Sequence, residues 1–227
     1  MNGFEQFLFG IYPYLCSAVF LLGSLVRFDR EQYTWKSDSS QLLRRGQLRL
    51  GSNLFHIGVL GLFFGHLVGL LTPASVYHAF GLTAGMKQNI AMGAGGVMGA
   101  LALVGLILLI HRRLAEPRIR RNSRPTDIFL LVWILVTLSL GLASIAVSMG
   151  HPDGATMVRL ATWAQHLMTF QGDAAAYLAG VHPIYRIHLF FGMTLFLIFP
   201  FTRLVHIWSG FASVGYLTRS YQIVRAR

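Results

Sequence analysis

Cysteine is almost absent from this chain. Cys16 is the only one among 227 residues. That excludes an intrachain disulfide, a CxxC pair and an iron–sulfur cluster held by this chain's own thiolates. Charge is scarce too. Only 12% of residues are charged, against roughly 25% in a soluble domain. Hydrophobic residues make up 54%, and the mean hydropathy is +0.56. Acids are the rarer sign, 8 against 19 lysines and arginines, for a net charge of +11. In a polar chain that excess would suggest nucleic acid. In a chain this apolar it indicates basic loops beside a membrane, so no nucleic-acid partner is expected. The opening Met1-Asn2-Gly3-Phe4-Glu5 lacks a basic n-region. The first apolar segment is too long for a signal peptide and has no small-residue cleavage site, so it reads as a retained helix. No internal repeat, low-complexity run or soluble domain is visible.

Crossing a hydrocarbon core takes about 20 apolar residues. Segments near Phe7–Val26, Leu50–Leu71, Ile90–Ile110, Ile128–Met149 and Ile184–Trp208 qualify. The expected fold is an all-α membrane protein with a transmembrane domain over 1–208 and a C-terminal tail over 209–227. Cations alternate between loops. The first loop holds Arg27, Arg30, Lys36, Arg44, Arg45 and Arg49, and the third holds Arg112, Arg113, Arg118, Arg120, Arg121 and Arg124. The second holds only Lys87, and the long fourth only Arg159 before Arg186. Basic loops stay cytoplasmic, which puts the N-terminus outside and the C-terminus inside. Gly95 and Gly99 form a GxxxG pair suited to close helix packing or to making room for a cofactor edge. Met157–Phe170 has helical apolar spacing and reads as a short interfacial helix over the outer face.

Four histidines fall inside two of these spans: His56 and His66 in the second, His188 and His206 in the fifth. Imidazoles within a membrane are costly unless something engages them. The two spans run in opposite directions, so depth pairs His66 with His188 near the outside and His56 with His206 near the inside. The economical binder is a pair of haems, each held by one histidine from each span. No CxxCH motif exists, so such haems would be held non-covalently. Two axial imidazoles fill both open positions on the iron, which suits one-electron transfer rather than oxygen or substrate binding. The helical rise is about 15 Å from His56 to His66 and about 27 Å from His188 to His206, a mismatch. At roughly 100° per residue, His188 and His206 return to one face, while His56 and His66 lie about 80° apart. The plain alternative is hydrogen bonding between helices. Metal transport is disfavoured, because no carboxylate in the spans accompanies the histidines and Cys16 is the lone thiol. Arg203, one turn from His206, is a candidate partner for a haem propionate, and Arg186 a weaker one. Both also fit as interface anchors. His111 is expected to snorkel; His78, His151, His166 and His182 lie in outer loops or at helix ends.

Taken together, these blocks resemble a known family. They are Arg49–His56 with His66, Met86-Lys87-Gln88, Arg112-Arg113-Leu114 with Pro117-Arg118, Trp163-Ala164-Gln165, Arg186–Phe201, and Arg203-Leu204-Val205-His206-Ile207-Trp208-Ser209. Tyr216-Leu217-Thr218-Arg219, Tyr221-Gln222 and Val224-Arg225 complete the set. The chain is similar to the gamma subunit of respiratory nitrate reductase, the cytochrome b anchor of a quinol-oxidising complex of the bacterial inner (cytoplasmic) membrane. The resemblance implies two haem b groups, a distal one on His66 and His188 and a proximal one on His56 and His206. It implies quinol oxidation near the distal haem, with the family's quinol-site lysine falling on Lys87. Electrons would pass inward to an iron–sulfur beta subunit and a molybdenum alpha subunit that reduces nitrate in anaerobic respiration. Lys87 suits hydrogen bonding to a quinone oxygen, or plain anchoring with its ammonium in water. Gly65 and Gly69 flank His66 and leave space for a haem or quinol head group. One stretch departs from the family: Ser209–Gly215 is longer than the usual link, which bears on how the tail docks soluble subunits and not on haem ligation.

The expected function is thus a dihaem, quinol-oxidising electron-transfer subunit. Two alternatives remain open at this stage: a cytochrome b anchor for another quinone-linked enzyme (formate dehydrogenase, hydrogenase or a sulfur-cycle reductase), and a haem-free anchor or transporter.

Overall fold

The computed structural model describes residues 2–31 and 43–208, and among these every regular element is helical. Helix α1 (Gly3–Arg30) passes through a π-helical stretch at Phe7–Ile11. It is followed by α2 (Arg45–Leu71), the short α3 (Ala74–Ala79) and the long α4 (Ala84–Ala115). Then come α5 (Pro117–Arg121), α6 (Pro125–Met149), α7 (Ala155–Met168) and α8 (Pro183–Ile198). The helices α1, α2, α4 and α6 and the segment Pro183–Phe201 are long and apolar enough to cross a membrane. Each expected span is therefore present. The expected tail over 209–227 lies outside the described residues.

Local chemistry sets the ends. Hydropathy places the third span at Ile90–Ile110, but α4 begins earlier because the Thr83 hydroxyl accepts from the Met86 amide as an N-cap. Prolines at 117, 125 and 183 occupy first-turn positions where no amide proton is needed. Arg112 and Arg113 lie in the last turn of α4, and Asp127 in the first turn of α6, both favoured by the helix dipole.

The main packing contacts run α2 to α4, α4 to α6, α6 to α8 and α8 to α1. The α2–α4 seam is built on glycine. A Cβ on Gly58 would lie 2.4 Å from the Ala102 amide nitrogen, and one on Gly105 would lie 2.3 Å from that of Phe55. Side chains of any size would force these backbones apart. The expected GxxxG pair does not form a close backbone seam. Gly99 meets the Leu142 side chain of α6, whereas a Cβ on Gly95 would meet nothing within 4 Å. The motif spacing marked one glycine of a close contact, while the tight seam uses Gly51, Gly58 and Gly105, which have no fixed spacing. Along α2, Leu50, Ile57, Leu60, Phe63, Phe64, Leu67 and Val68 are exposed, an apolar surface matched to lipid rather than water.

Helix α7 forms where the periodicity indicated. Its inner side enters a core of Phe9, Trp163, Leu167, Ala174, Ala175 and Leu178. Trp163 donates its indole proton to the Phe9 carbonyl at 2.9 Å. That carbonyl belongs to the π-helical stretch, where the ladder is locally irregular. Glu5 and Arg186 close the same end with an ion pair at 2.6 Å, so Arg186 ties α8 to the N-terminal turn.

The fifth span is not one straight helix to Trp208. Regular structure ends at Ile198, and 3-10 turns follow at Phe199–Phe201 and Arg203–Val205. Pro200 supplies no amide proton, and Thr202 is extended at φ −121°, ψ 178° before its hydroxyl accepts from the Leu204 amide. His188 and His206 therefore do not share the face of one continuous helix. The chain turns between them, which also removes the requirement for a 27 Å axial separation.

Candidate functional site

Helix α2 packs mainly on α4; its histidines face His188 of α8 and His206, which follows the 3-10 turns after α8. His66 and His188 have ring centroids 6.1 Å apart, with planes at 40°. His56 and His206 have centroids 6.3 Å apart, with planes at 80°. The structure thus joins the four residues in the two pairs expected from depth.

In each ring, Nδ1 lies against a backbone carbonyl: Ser52 for His56 at 2.8 Å, Leu62 for His66 at 2.7 Å, Thr137 for His188 at 3.0 Å, and Arg203 for His206 at 2.6 Å. A carbonyl only accepts, so Nδ1 carries the proton and the lone pair is on Nε2. That is the tautomer a metal ligand needs, with the other ring nitrogen tied to an outer partner.

A metal–imidazole bond of about 2 Å on each side, plus about 1 Å from nitrogen to ring centre, separates trans imidazole centroids by about 6 Å. The centroid separations of 6.1 and 6.3 Å are compatible with an iron held between each pair. Among the described residues, no three His, Cys, Asp or Glu side chains converge on one point. Each pair would therefore suit a haem, whose macrocycle would bring the remaining donors, better than a metal ion held by protein side chains alone.

The turn carrying His206 is held from two sides. Arg27 of α1 donates from Nη1 to the carbonyls of Pro200 at 2.6 Å and Thr202 at 3.1 Å. Arg203 is next to Asp127, with Nε 2.9 Å from Oδ1, an ion-pair distance outside hydrogen-bond alignment. Asp127 also accepts from Arg113 Nη1 at 3.2 Å. Arg203, the expected propionate partner, therefore has a protein carboxylate beside it. Sequence reading missed Asp127 and Arg27. Asp127 carried a signal, as the lone acid opening an apolar run beyond an arginine-rich loop. Arg27 carried none among its basic neighbours.

At the other end, Lys87 lies in the first turn of α4. Its Nζ is 3.4 Å from the Thr72 carbonyl and 4.4 Å from the centre of the Tyr77 ring. It borders a small, partly open cleft lined by Thr72, Tyr77, Lys87, Met157, Thr162 and Gln165. Gln165 Nε2 donates to the Leu70 carbonyl at 3.0 Å. Together Lys87 and Gln165 cap the last carbonyls of α2, the helix bearing His66. Lys87 is half-buried over an aromatic face, not extended into water as an anchor. A Cβ on Gly65 would meet nothing within 4 Å, and one on Gly69 only Met157 Cε at 4.0 Å. No packing demand explains either glycine.

The fold and site define a five-span helical membrane protein with two histidine pairs joining opposed helices at two levels. Comparison with known proteins makes this specific. The family model described as nitrate reductase gamma subunit matches residues 5–227. The chain is 51% identical over 227 residues to the respiratory nitrate reductase 1 gamma chain of Escherichia coli (strain K12), covering 100% of both. It is 49% identical to the respiratory nitrate reductase 2 gamma chain of the same strain, over 97% of this chain and 96% of that one. It is 36% identical to the nitrate reductase gamma chain of Bacillus subtilis (strain 168), over 98% of each. The chain belongs to the nitrate reductase gamma subunit family.

Proposed function

We propose that this chain is the dihaem cytochrome b subunit of a respiratory nitrate reductase, oxidising quinol near the outer membrane face and sending electrons inward. The observation that carries this reading is the pair of imidazole couples at 6.1 and 6.3 Å, every ring in the Nε2-ligand tautomer. His66 and His188 would hold the distal haem, and His56 and His206 the proximal one. Haem held between two imidazoles supplies one-electron transfer with no open coordination position.

The chain's own residues do the remaining work. The cleft beside Lys87 receives the quinol head group, and the Lys87 ammonium donates to a quinol oxygen as negative charge develops there. Tyr77 and Gln165 keep Lys87 and the end of α2 in place. Gly65 and Gly69 leave the approach to His66 uncrowded. Protons leave on this outer side while electrons travel to the arginine-rich side, which follows the positive-inside assignment. Arg203, shared with Asp127, faces the proximal level and is the candidate partner for a propionate there. The names of the relatives support a subunit role in a nitrate reductase complex, and five apolar spans suit a place in the bacterial inner membrane. The partners would be an iron–sulfur subunit and a molybdenum subunit that reduces nitrate, with the tail over 209–227 docking on them.

The deciding experiment is a pyridine haemochrome assay on the purified complex, with a reduced-minus-oxidised spectrum. Two haem b per gamma chain, reducible by a quinol analogue, are expected. One haem or none would end the proposal.

A further inference from the structure

His188 differs from the other three histidines in how its ring is held. The rings of His56, His66 and His206 donate to carbonyls three or four residues back in their own segments. His188 donates to Thr137, on α6, 51 residues away in sequence. Gly141 lies one turn beyond Thr137 on the same helix. A Cβ at Gly141 would lie 2.9 Å from His188 Cε1 and 3.5 Å from both ring nitrogens. At Gly58 and Gly105, by contrast, the nearest atoms to a Cβ are backbone of the neighbouring helix. Those glycines serve helix packing, whereas Gly141 accommodates one imidazole. The α6–α8 register is held nearby by the Trp133 indole, which donates to the Phe191 carbonyl at 3.1 Å.

We infer that Gly141 is a positioning residue for His188: its bare backbone and the Thr137 carbonyl form a socket through which α6 sets the imidazole's orientation. This rests on the reading that His66 and His188 bracket a haem iron. An alanine methyl there must push the ring aside, because a carbon–carbon approach of 2.9 Å is well inside contact distance. Displacement lengthens the Nδ1–H bond to Thr137, and a ligand that loses such a bond becomes less basic. The ferric state is then less stabilised, and the distal haem's reduction equilibrium moves toward the reduced form. The proximal haem, whose ligands hang from other carbonyls, keeps its equilibrium.

The test is Gly141→Ala in the full complex, with redox titration and EPR of both haems, and Gly95→Ala as the control where a Cβ meets nothing. The expected result is a roughly threefold to tenfold shift of the distal haem toward reduction, tenfold being about 59 mV for one electron. A changed g-anisotropy for that haem alone should accompany it, since the anisotropy follows the relative orientation of the two axial rings. Loss of the distal haem with the proximal one retained supports the socket equally. If Gly141→Ala does not assemble, His188→Ala is combined with it. Recovery of assembly in the double variant shows that the methyl acts through the ring, as in any double-mutant cycle. Failure to recover overturns the inference. Two wild-type haem signals left unmoved by Gly141→Ala would sink the socket alone. A wild-type complex without those signals would sink the haem reading and the socket with it.

Discussion

Asp127 offers the sharpest perturbation of the arginine-rich end. Its carboxylate lies between Arg113 of α4 and Arg203 of the final turn, at 3.2 and 2.9 Å. Their side chains are 9%, 12% and 22% exposed in the order Asp127, Arg113, Arg203, so little water screens the cluster. Arg113 has Ser123 Oγ as a second partner at 3.0 Å. Replacing Asp127 by alanine leaves two guanidinium groups facing one another with the intervening anion removed. Breaking a buried pair by deleting one partner costs about 3–5 kcal/mol. Partial exposure of Arg203 argues for the lower end. In a chain of this size each kcal/mol moves the melting temperature by about 2–4 °C, so Asp127→Ala should lower it by roughly 6–12 °C. Asp127→Asn keeps the size and one hydrogen bond to Arg113, and should lose about half as much.

The same substitution carries a local consequence. The Arg203 carbonyl accepts the Nδ1 proton of His206 at 2.6 Å, so releasing the Arg203 side chain loosens the turn that orients that ring. Under the proposed function, Asp127→Ala should broaden or shift the proximal haem's EPR signal and leave the distal one alone. Differential scanning of the detergent-solubilised complex and EPR of the same sample measure both effects. A melting temperature within about 2 °C of wild type, with the proximal signal unchanged, would show that Asp127 does not hold this turn.

Three further outcomes are expected. His66→Ala should remove the distal haem, halve the haemochrome yield and abolish reduction by quinol, while the proximal haem stays reducible by dithionite; retention of two low-spin haems would disprove the ligand assignment. Lys87→Ala should slow quinol-dependent haem reduction on the order of 10²-fold without changing either haem spectrum, measured by stopped-flow with a quinol analogue; an unchanged rate would return Lys87 to the role of helix cap. Gly58→Ala should destabilise the α2–α4 seam by about 1–3 kcal/mol or more, because its Cβ would lie 2.4 Å from a backbone nitrogen; thermal melting equal to wild type would show that the helices separate without cost.

Much of this was legible in the sequence because two signals are strong. Hydropathy runs located every span, since a lipid environment leaves few choices for a chain segment that long. Histidines in such runs are so costly that their number and depth indicated pairing. The misses have physical causes. The break after Ile198 depends on Pro200 and on the Arg27 bonds to the Pro200 and Thr202 carbonyls, and a contact across 173 residues is invisible to local pattern. The glycine seam depends on which faces meet, and GxxxG spacing described only one backbone. Gly141 is one of several small residues in Leu140-Gly141-Leu142-Ala143-Ser144. Only the placement of His188 against it distinguishes it. Lys87 stood out in the sequence as the lone cation of its loop, but Tyr77 and Gln165 lie on two other elements and gave no signal of joining it.

The two histidine pairs share one helix and differ in the other half, and that asymmetry bears on function. His56 and His66 lie on α2, a single helix pressed by glycines against α4, and each is oriented by its own i−4 carbonyl. This half of both sites is set by local geometry and one rigid seam. The opposing half is not. His188 takes its orientation from α6, and His206 from a 3-10 turn held by Arg27 and Asp127. Changes at Gly141 should therefore act on the distal level, and changes at Asp127 or Arg27 on the proximal level, with little crosstalk. Under the proposed function two haem potentials would need separate adjustment, and a common helix facing two independent suspensions would permit that. If Gly141→Ala and Asp127→Ala each moved both haems equally, the suspensions would not be independent. The coupling would then have to run through α2.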